Sequence, residues 1–403
     1  MRAVEPQRVI ADLRELDRLT GGPDGARRVC WTEEWEAARV FLRERLDEIP
    51  DVKVELDEAG NLWAAPPQAS GELVAVGSHL DSVPHGGWLD GALGVMAGVE
   101  VLRASSGAAA GRAPVLVDWA DEEGARFGRS LLGSSAAAGS LDLDEARGLH
   151  DAWGRALPEV LAEHGVQLQR MVEARGRTER LAAYLELHIE QGPVLEREGI
   201  SVAAVSGTFG VERRRLCFEG RASHAGTTPM ELRRDAGLAA ARTALAVETI
   251  ARDHGGVATC GALRLDPGIP TAVPGRAELM VDLRHAEAGP LVAMLEATRE
   301  AASRAATGCA VSEEHVWSIE PIPFDERLVA AALESAGSGR VIASGALHDA
   351  AEMARRVPTA MLFAPSTGGL SHTAAEDTPE PDLERAIEAF GRLTARVLGG
   401  EVP

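Results

Sequence analysis

The run Val74-Ala-Val-Gly-Ser-His79-Leu-Asp81-Ser-Val83, followed by Gly86-Gly-Trp-Leu-Asp90-Gly91, decides how the rest of the chain is read. An apolar stretch that stops at Gly-Ser-His-x-Asp reads as a buried strand with metal-type ligands at its C-terminal end, where open α/β sheets place their chemistry. One histidine alone would carry little weight. Here carboxylates lie close by in sequence, and three similar strand ends follow. Asp121-Glu122-Glu123-Gly124 closes the apolar run Pro114–Trp119, and His188 lies in the alternating run Tyr184–Glu190. His372 closes Ser366-Thr-Gly-Gly-Leu-Ser-His372, after Thr359–Ala364. In Tyr184–Glu190, Leu185, Leu187 and Ile189 share one face while Glu186, His188 and Glu190 share the other.

Working outward, residues 7–21 and 32–49 have helical spacing, with Val9, Leu13, Leu16 and Leu19 in the first and Trp35, Ala38, Leu42, Leu46 and Ile49 in the second. Val52–Leu56 and Asn61–Ala65 read as a hairpin, and Leu73–Val76 as the buried strand. A helix is expected over Gly91–Arg103, and helical patterning continues through 141–176. Strands alternating with helices imply a mainly parallel sheet. The texture changes near Ser206-Gly-Thr-Phe-Gly210. An edge-type strand Glu212–Glu219 is followed by a helix from Pro229 to Thr249, capped by Thr227 or Thr228. The strands Ala258–Leu265 and Ala277–Arg284, the helix Gly289–Thr307 and a strand Val311–Ile319 complete a β-α-β-β-α-β order. A helix Glu326–Ala336, the strand Thr359–Ala364 and a last helix Pro381–Leu398 return to the first pattern. The expected fold class is α/β: a mainly parallel-sheet domain, 1–208 plus 326–403, with a smaller ferredoxin-like α+β domain, 209–325, inserted into it.

The 403 residues suit two domains. No apolar run approaches the roughly 20 residues that a membrane helix needs, and Met1-Arg-Ala-Val-Glu-Pro6 has none of the features of a signal peptide. Cys30, Cys217, Cys260 and Cys309 lack metal or disulfide spacing, so reduced thiols and a cytoplasmic location are expected. A net charge of −21 argues against nucleic acid and anionic membranes as partners. Lys53 is the lone lysine, which speaks of a GC-rich genome and not of function. Aromatic content of 4% disfavours a site that stacks sugars or bases.

In a parallel sheet the four strand ends converge. Two or three histidines with a bridging carboxylate and a further Glu form the ligand set of a two-metal hydrolytic site, suited to Zn²⁺ or to Mn²⁺, Co²⁺ or Ni²⁺. Adjacent Glu122 and Glu123 point in different directions, so one can bind metal while the other acts as general base; the alternative is a solvated acidic loop. Asp81, two residues from His79, is spaced to orient a ligand imidazole. His85 follows Pro84 and reads as a solvated loop residue, and His150, His164, His254, His285 and His315 as structural or exposed. His224, in Gly220-Arg-Ala-Ser-His224-Ala-Gly-Thr-Thr-Pro-Met230, is either a buried residue near a helix cap or a lid residue that donates to an oxyanion. Arg284 is either a clamp for a substrate carboxylate or a surface ion pair.

Gly77-Ser-His-Leu-Asp-Ser82, Gly86-Gly-Trp-Leu-Asp-Gly91, Asp121-Glu-Glu-Gly-Ala-Arg-Phe127, Leu187-His-Ile-Glu-Gln-Gly-Pro193 and His224-Ala-Gly-Thr-Thr-Pro-Met230 together resemble the hydantoinase/carbamoylase branch of the M20 metallopeptidase-like family. That branch contains N-carbamoyl-L-amino-acid hydrolases, allantoate amidohydrolases and β-ureidopropionases. The resemblance runs from about residue 30 to 395, and His188, where peptidase members usually carry an acidic ligand, points to this branch. It implies a catalytic domain with an inserted lid and dimerisation domain, and two divalent ions bridged by Asp90. His79 and His188 would complete one ion's ligands, Glu123 and His372 the other's, with Glu122 as general base. Gln191, His224 and Arg284 match substrate-contacting positions, with Thr271 and Gly369 placed beside them, and His224 would reach across a homodimer. The implied reaction is hydrolysis of a linear non-peptide C–N bond in a small ureido or N-acyl acid. Two positions depart from the branch: Thr271 stands where an Asn is usual, and Leu347 replaces a glycine in Ser344-Gly-Ala-Leu347-His-Asp349. Both bear on which substrate is taken, so an allantoate-type or otherwise specialised amidase is the alternative, with an M20 dipeptidase or aminoacylase behind it.

Overall fold

The structure, a computed structural model, describes residues 1–67, 71–107 and 111–402. The chain divides into two compact units. One comprises Met1–Ser206, Pro323–Ile342 and Leu347–Pro403; the other comprises Gly207–Ile322 with Ala343–Ala346.

The first unit is built on four parallel strands in the order Thr359–Ala364, Leu181–Ile189, Leu73–His79 and Ala113–Trp119. Antiparallel strands flank them, Leu62–Ala65 and Lys53–Leu56 on one side and Ala203–Thr208 on the other. The sheet is thus mixed with a mainly parallel centre, as expected. Its strands are apolar on both faces because both faces are covered. Val74, Val76, Leu116 and Leu187 pack among the helices Pro6–Thr20, Glu33–Asp47, Ala92–Ser105 and Glu380–Leu398. Ala75, Val115, Val117 and Tyr184 face a second core with Trp119, Leu157 and Met171. Helix Ala92–Ser105 approaches the strand ends closely. A Cβ on Gly94 would lie 2.6 Å from the Leu187 carbonyl oxygen and 2.7 Å from Ser78 Cβ, so only glycine fits there.

Two expectations for this unit change. The strand expected over Leu73–Val76 continues to His79, which is its last residue. The patterning over 141–176 resolves into short pieces, Leu143–Arg147, Leu157–Glu163 and a 3-10 stretch Leu168–Arg180. Gly154 and Gly165 take positive φ between them, and Asp151 Oδ1 accepts the N–H groups of Trp153 and Arg155 in an Asx-type turn.

The second unit has a four-stranded antiparallel sheet in the order Val257–Asp266, Arg276–His285, Gly210–Glu219, Ala310–Ile319. Helices Ala236–His254 and Ala288–Ala305 pack on one face, around Leu216, Phe218, Leu279, Val281, Val247 and Met294. Gly210–Glu219 is therefore an inner strand, bonded on both sides, and not the edge strand its polar alternation suggested. That alternation reflects the face without helices, where Arg213 meets Asp282 and Arg215 meets Glu314. The helix expected from Pro229 begins at Ala236. Asp235 caps it, accepting from Leu238 N at 3.0 Å, whereas Met230–Leu232 forms one isolated 3-10 turn. The Arg233 guanidinium donates to the carbonyls of Thr228 and Ala225 and keeps that segment out of the helix.

Behind the first unit's strand ends lies a buried ion pair. Arg39 Nε donates to Asp118 Oδ2 at 2.8 Å and Nη1 to the Gly60 carbonyl at 2.6 Å. Asp118 Oδ1 accepts the N–H of Leu80. Removing one partner of a buried pair strands the other charge. Arg39→Met is expected to lower the unfolding free energy by about 3–5 kcal/mol in urea denaturation. A loss below about 1 kcal/mol, the size of an exposed pair, would contradict the structural role assigned to it.

Candidate metal centre

Four strand ends and their loops bring the donor groups together in the first unit. His79 ends its strand. Asp90 directly precedes helix Ala92–Ser105, and Gly91 between them has φ of +65°. A Cβ on Gly91 would sit 2.4 Å from His79 Cε1, so this turn needs glycine. Glu122 and Glu123 follow strand Ala113–Trp119, His188 lies on Leu181–Ile189, and His372 follows the turn Thr367–Gly369 that contains Gly369.

Asp90 is the common element. Its Oδ1 lies 3.1 Å from His188 Nε2 and 3.8 Å from His79 Nε2. Its Oδ2 lies 3.4 Å from His372 Nε2, which is also 3.4 Å from Glu123 Oε2. Two sets of donor atoms result, His79–Asp90–His188 and Asp90–Glu123–His372, each with all its atoms within 4.8 Å of one another. Glu122 Oε2 stands 3.6 Å from His79 Nε2. A third set, Glu186–His188–His348, shares His188. Its Glu186 carboxylate already accepts from Ser78 Oγ at 2.6 Å, Ala350 N at 3.0 Å and the Tyr184 hydroxyl at 3.2 Å, so it is no separate site.

These residues fit divalent cations. His79 Nδ1 lies 3.0 Å from the Asp81 carbonyl and His188 Nδ1 2.8 Å from the Ile189 carbonyl. Those acceptors place the proton on Nδ1 and turn the Nε2 lone pairs toward the Asp90 carboxylate, that of His188 also accepting from Gly91 N at 3.2 Å. Lone pairs facing a carboxylate in a buried site need a positive charge between them. In the metal-free protein protons supply it. Burial lowers His79, but Glu122 and Asp81 outweigh that and hold it well above the ordinary imidazole value. Burial lowers His188 too, and its hydrogen bond to Asp90 lifts it above the ordinary value. The hydrogen bond to Asp90 raises His372 to about 9. Asp90 loses charge stability to burial but is held well below the usual carboxylate range by His188 and His372. Burial, then Asp90, pushes Glu123 to about 7. Burial pushes Glu122 well above its ordinary value against the pull of His79.

Asp81 orients His79 through its backbone, not its side chain. Its carboxylate is 3.6 Å from Nδ1 and is occupied by the N–H groups of Glu122 (3.3 Å) and Glu123 (3.1 Å). One aspartate thus ties the His79 strand end to the paired glutamates. Gln191 Nε2 donates to Asp90 Oδ2 at 2.8 Å. His224, Thr271 and Arg284 belong to the second unit. His224 pairs with Ala272, Ala225 N donates to the Thr271 carbonyl at 2.9 Å, and the His224 ring is exposed, which removes the reading of a buried residue near a helix cap. Arg284 Nε donates to Asp282 Oδ1 at 2.7 Å and Nη1 to the Gly345 carbonyl at 3.0 Å. His85 is exposed.

Sequence reasoning missed Glu376 and Ser371. Glu376 Oε1 accepts the N–H groups of Leu89 and Asp90, both at 3.0 Å, and Ser371 Oγ lies between Asp90 Oδ2 at 2.7 Å and Glu376 Oε2 at 2.9 Å, with one proton to give to either. Their signal was the segment Ser371-His372-Thr-Ala-Ala-Glu376 itself, where a serine and a carboxylate bracket the ligand histidine.

A mixed sheet with a mainly parallel centre, carrying this donor set at its strand ends, defines a metal-dependent hydrolase. The chain belongs to the family described as Peptidase family M20/M25/M40, whose model matches residues 75–396. It is 33% identical to the N-carbamoyl-L-amino-acid amidohydrolase of Paenarthrobacter aurescens, over 98% of both chains. It is 32% identical to the allantoate amidohydrolase of Bacillus subtilis, over 92% of both. A solved hydantoinase/carbamoylase family amidase from Burkholderia ambifaria superposes with a TM-score of 0.88, at 34% identity and 98% coverage of each chain.

Metal uptake and proton release should be linked, because each ligand must shed its proton to coordinate. His372, raised to about 9, is protonated below that pH in the metal-free protein, and Glu123 is protonated below about 7. Apparent affinity for a divalent ion should therefore rise with pH through about 7 and on to about 9, with protons released on binding. Chelator competition across this range measures it; a flat profile would contradict the ligand assignment.

Proposed function

We propose that this protein is a homodimeric, cytoplasmic amidohydrolase that cleaves a linear ureido C–N bond, with N-carbamoyl-L-amino acids as its substrate class. The observation that carries this reading is the sharing of Asp90 by two donor sets beside the buried carboxyl of Glu122. His79 and His188 would hold one divalent ion and Glu123 and His372 the other, with Asp90 shared between the two sets. Two cations there, Zn²⁺ or Mn²⁺, Co²⁺ or Ni²⁺, would polarise the ureido carbonyl and lower the pKa of water to about 7. Glu122 takes a proton from the attacking water. As the water oxygen bonds to the carbonyl carbon and the C–N bond breaks, Glu122 returns that proton to the leaving nitrogen. Its burial suits it to hold the proton between the two transfers. Gln191 keeps the Asp90 carboxylate turned between the ligands and borders the substrate with Gly369.

Residues 209–325 are assigned as the lid and dimerisation domain, and 1–208 with 326–403 as the catalytic domain. Leu238 and Leu245, 41% and 71% exposed on helix Ala236–His254, support a face for a second copy. His224, exposed and anchored beside Thr271, suits donation to the oxyanion across the dimer, and Arg284, fixed by Asp282, suits a substrate carboxylate. Thr271 and Leu347 favour a second reading within the same chemistry, an allantoate-type or specialised N-acyl amidase.

Two experiments test this. Metal-free protein reconstituted with each of the four ions and offered N-carbamoyl, N-formyl and N-acetyl amino acids and allantoate should release ammonia from the N-carbamoyl set. Inactivity on every N-carbamoyl acid with turnover of allantoate or an N-acyl acid would move the assignment to the second reading. Glu122→Gln should bind metal normally yet lose about 10²–10⁴-fold in kcat; near-normal turnover would rule out Glu122 as the base.

A further inference from the structure

We propose that Arg28 is a positioning residue of the metal centre, clamping both ends of the loop that joins His79 to Asp90. This rests on the metal-centre reading above. Arg28 has no exposed surface; burial lowers its proton affinity, and Asp17, Glu376, Asp81 and Asp90 act on it electrostatically, none of them in salt-bridge contact among the described residues. A buried charge without a contacting counter-ion is costly, so its hydrogen bonds show what it does. Nε donates to the Leu80 carbonyl at 2.8 Å, Nη2 reaches the Gly87 carbonyl at 3.5 Å, and Nη1 lies 3.4 Å from Thr20 Oγ1. Leu80 and Gly87 are the two feet of the loop between the ligands.

The backbone follows the same path. Arg28 N donates to Ser82 Oγ and Ser82 N to the Arg28 carbonyl, at 3.1 and 3.0 Å. Ala26 N donates to the Gly86 carbonyl at 2.8 Å and His85 N to the Ala26 carbonyl at 3.0 Å. Leu80 is held from the other side as well, since its N–H donates to Asp118 Oδ1 at 2.9 Å. Both backbone groups of the residue joining His79 to Asp81 are thus gripped by buried charged side chains. Asp81 in turn receives the N–H groups of Glu122 and Glu123. A shift of Leu80 would move His79 on one side and the paired glutamates on the other. The rigid guanidinium fork spans divergent carbonyls at a fixed angle; an ammonium keeps the charge but not the fork.

The test compares wild type with Arg28→Lys in three measurements: affinity for Zn²⁺ or Mn²⁺ by chelator competition, hydrogen exchange of amides 80–89 in the metal-free protein, and kcat against KM. A folded Arg28→Lys protein should bind metal about 10–100-fold more weakly, exchange faster across 80–89, and lose kcat with little change in KM. Wild-type affinity and exchange in that variant would overturn the proposal. If Arg28→Lys does not fold, Thr20→Val decides. It removes one acceptor from the guanidinium and should shift affinity and exchange in the same direction by a smaller factor; no shift overturns the proposal. A wild-type protein that takes up no metal would instead overturn the metal centre on which this proposal stands.

Discussion

One carboxylate organises the site. Asp90 faces His188 and His79 with one oxygen and His372 with the other. Oδ1 meets its imidazoles where water barely reaches, whereas His372, which faces Oδ2, is exposed. Such a cluster is stable only with positive charge inside it. Protons provide that charge in the metal-free chain, and bound metal would provide it in the working enzyme. The high proton affinity of the imidazoles and the capacity for metal are two expressions of the same electrostatic demand.

The surrounding fold meets the geometric side of that demand. Asp90 is held by its backbone from Glu376, by its side chain from Gln191 and Ser371, and by the glycine turn into helix Ala92–Ser105. His79 is fixed through the carbonyl of Asp81, whose carboxylate also gathers Glu122 and Glu123. Leu80 between them is pinned by Asp118 and Arg28. The donor groups come from four separate strand ends, and those of His79, Asp90 and His188 are each tied to a neighbour by a hydrogen bond of 3.0 Å or less. That connectivity makes a rigid centre from loops, which a hydrolytic site needs if water, base and carbonyl are to meet at fixed distances.

Much of this was legible in the residues. The apolar run ending at His79 read correctly as a buried parallel strand, because strands covered on both faces have nowhere to place polar groups. Metal-type side chains stood out by clustering at such ends. Other features were not legible. Gly210–Glu219 looked like an edge because its alternation records an open face, and an open face and an open edge leave the same pattern. The helix at Ala236 looked longer because Thr-Thr-Pro-Met resembles a helix start, while the Arg233 contacts that prevent it are tertiary. Glu376 escaped notice because a carboxylate that grips two backbone N–H groups has no spacing rule. Asp81 had the right spacing to orient His79, but sequence could not say that its carbonyl would do so while its carboxylate served the glutamates.

Asp90 is proposed to serve two metal ions at once. The most direct test is the metal content of metal-free protein loaded with Zn²⁺ or Mn²⁺, dialysed, and counted per chain by plasma mass spectrometry, for wild type and Asp90→Asn. The shared-carboxylate account predicts two ions per chain in wild type and loss of both in Asp90→Asn. A variant that keeps one ion at wild-type affinity would contradict it, because Asp90 would then serve a single site.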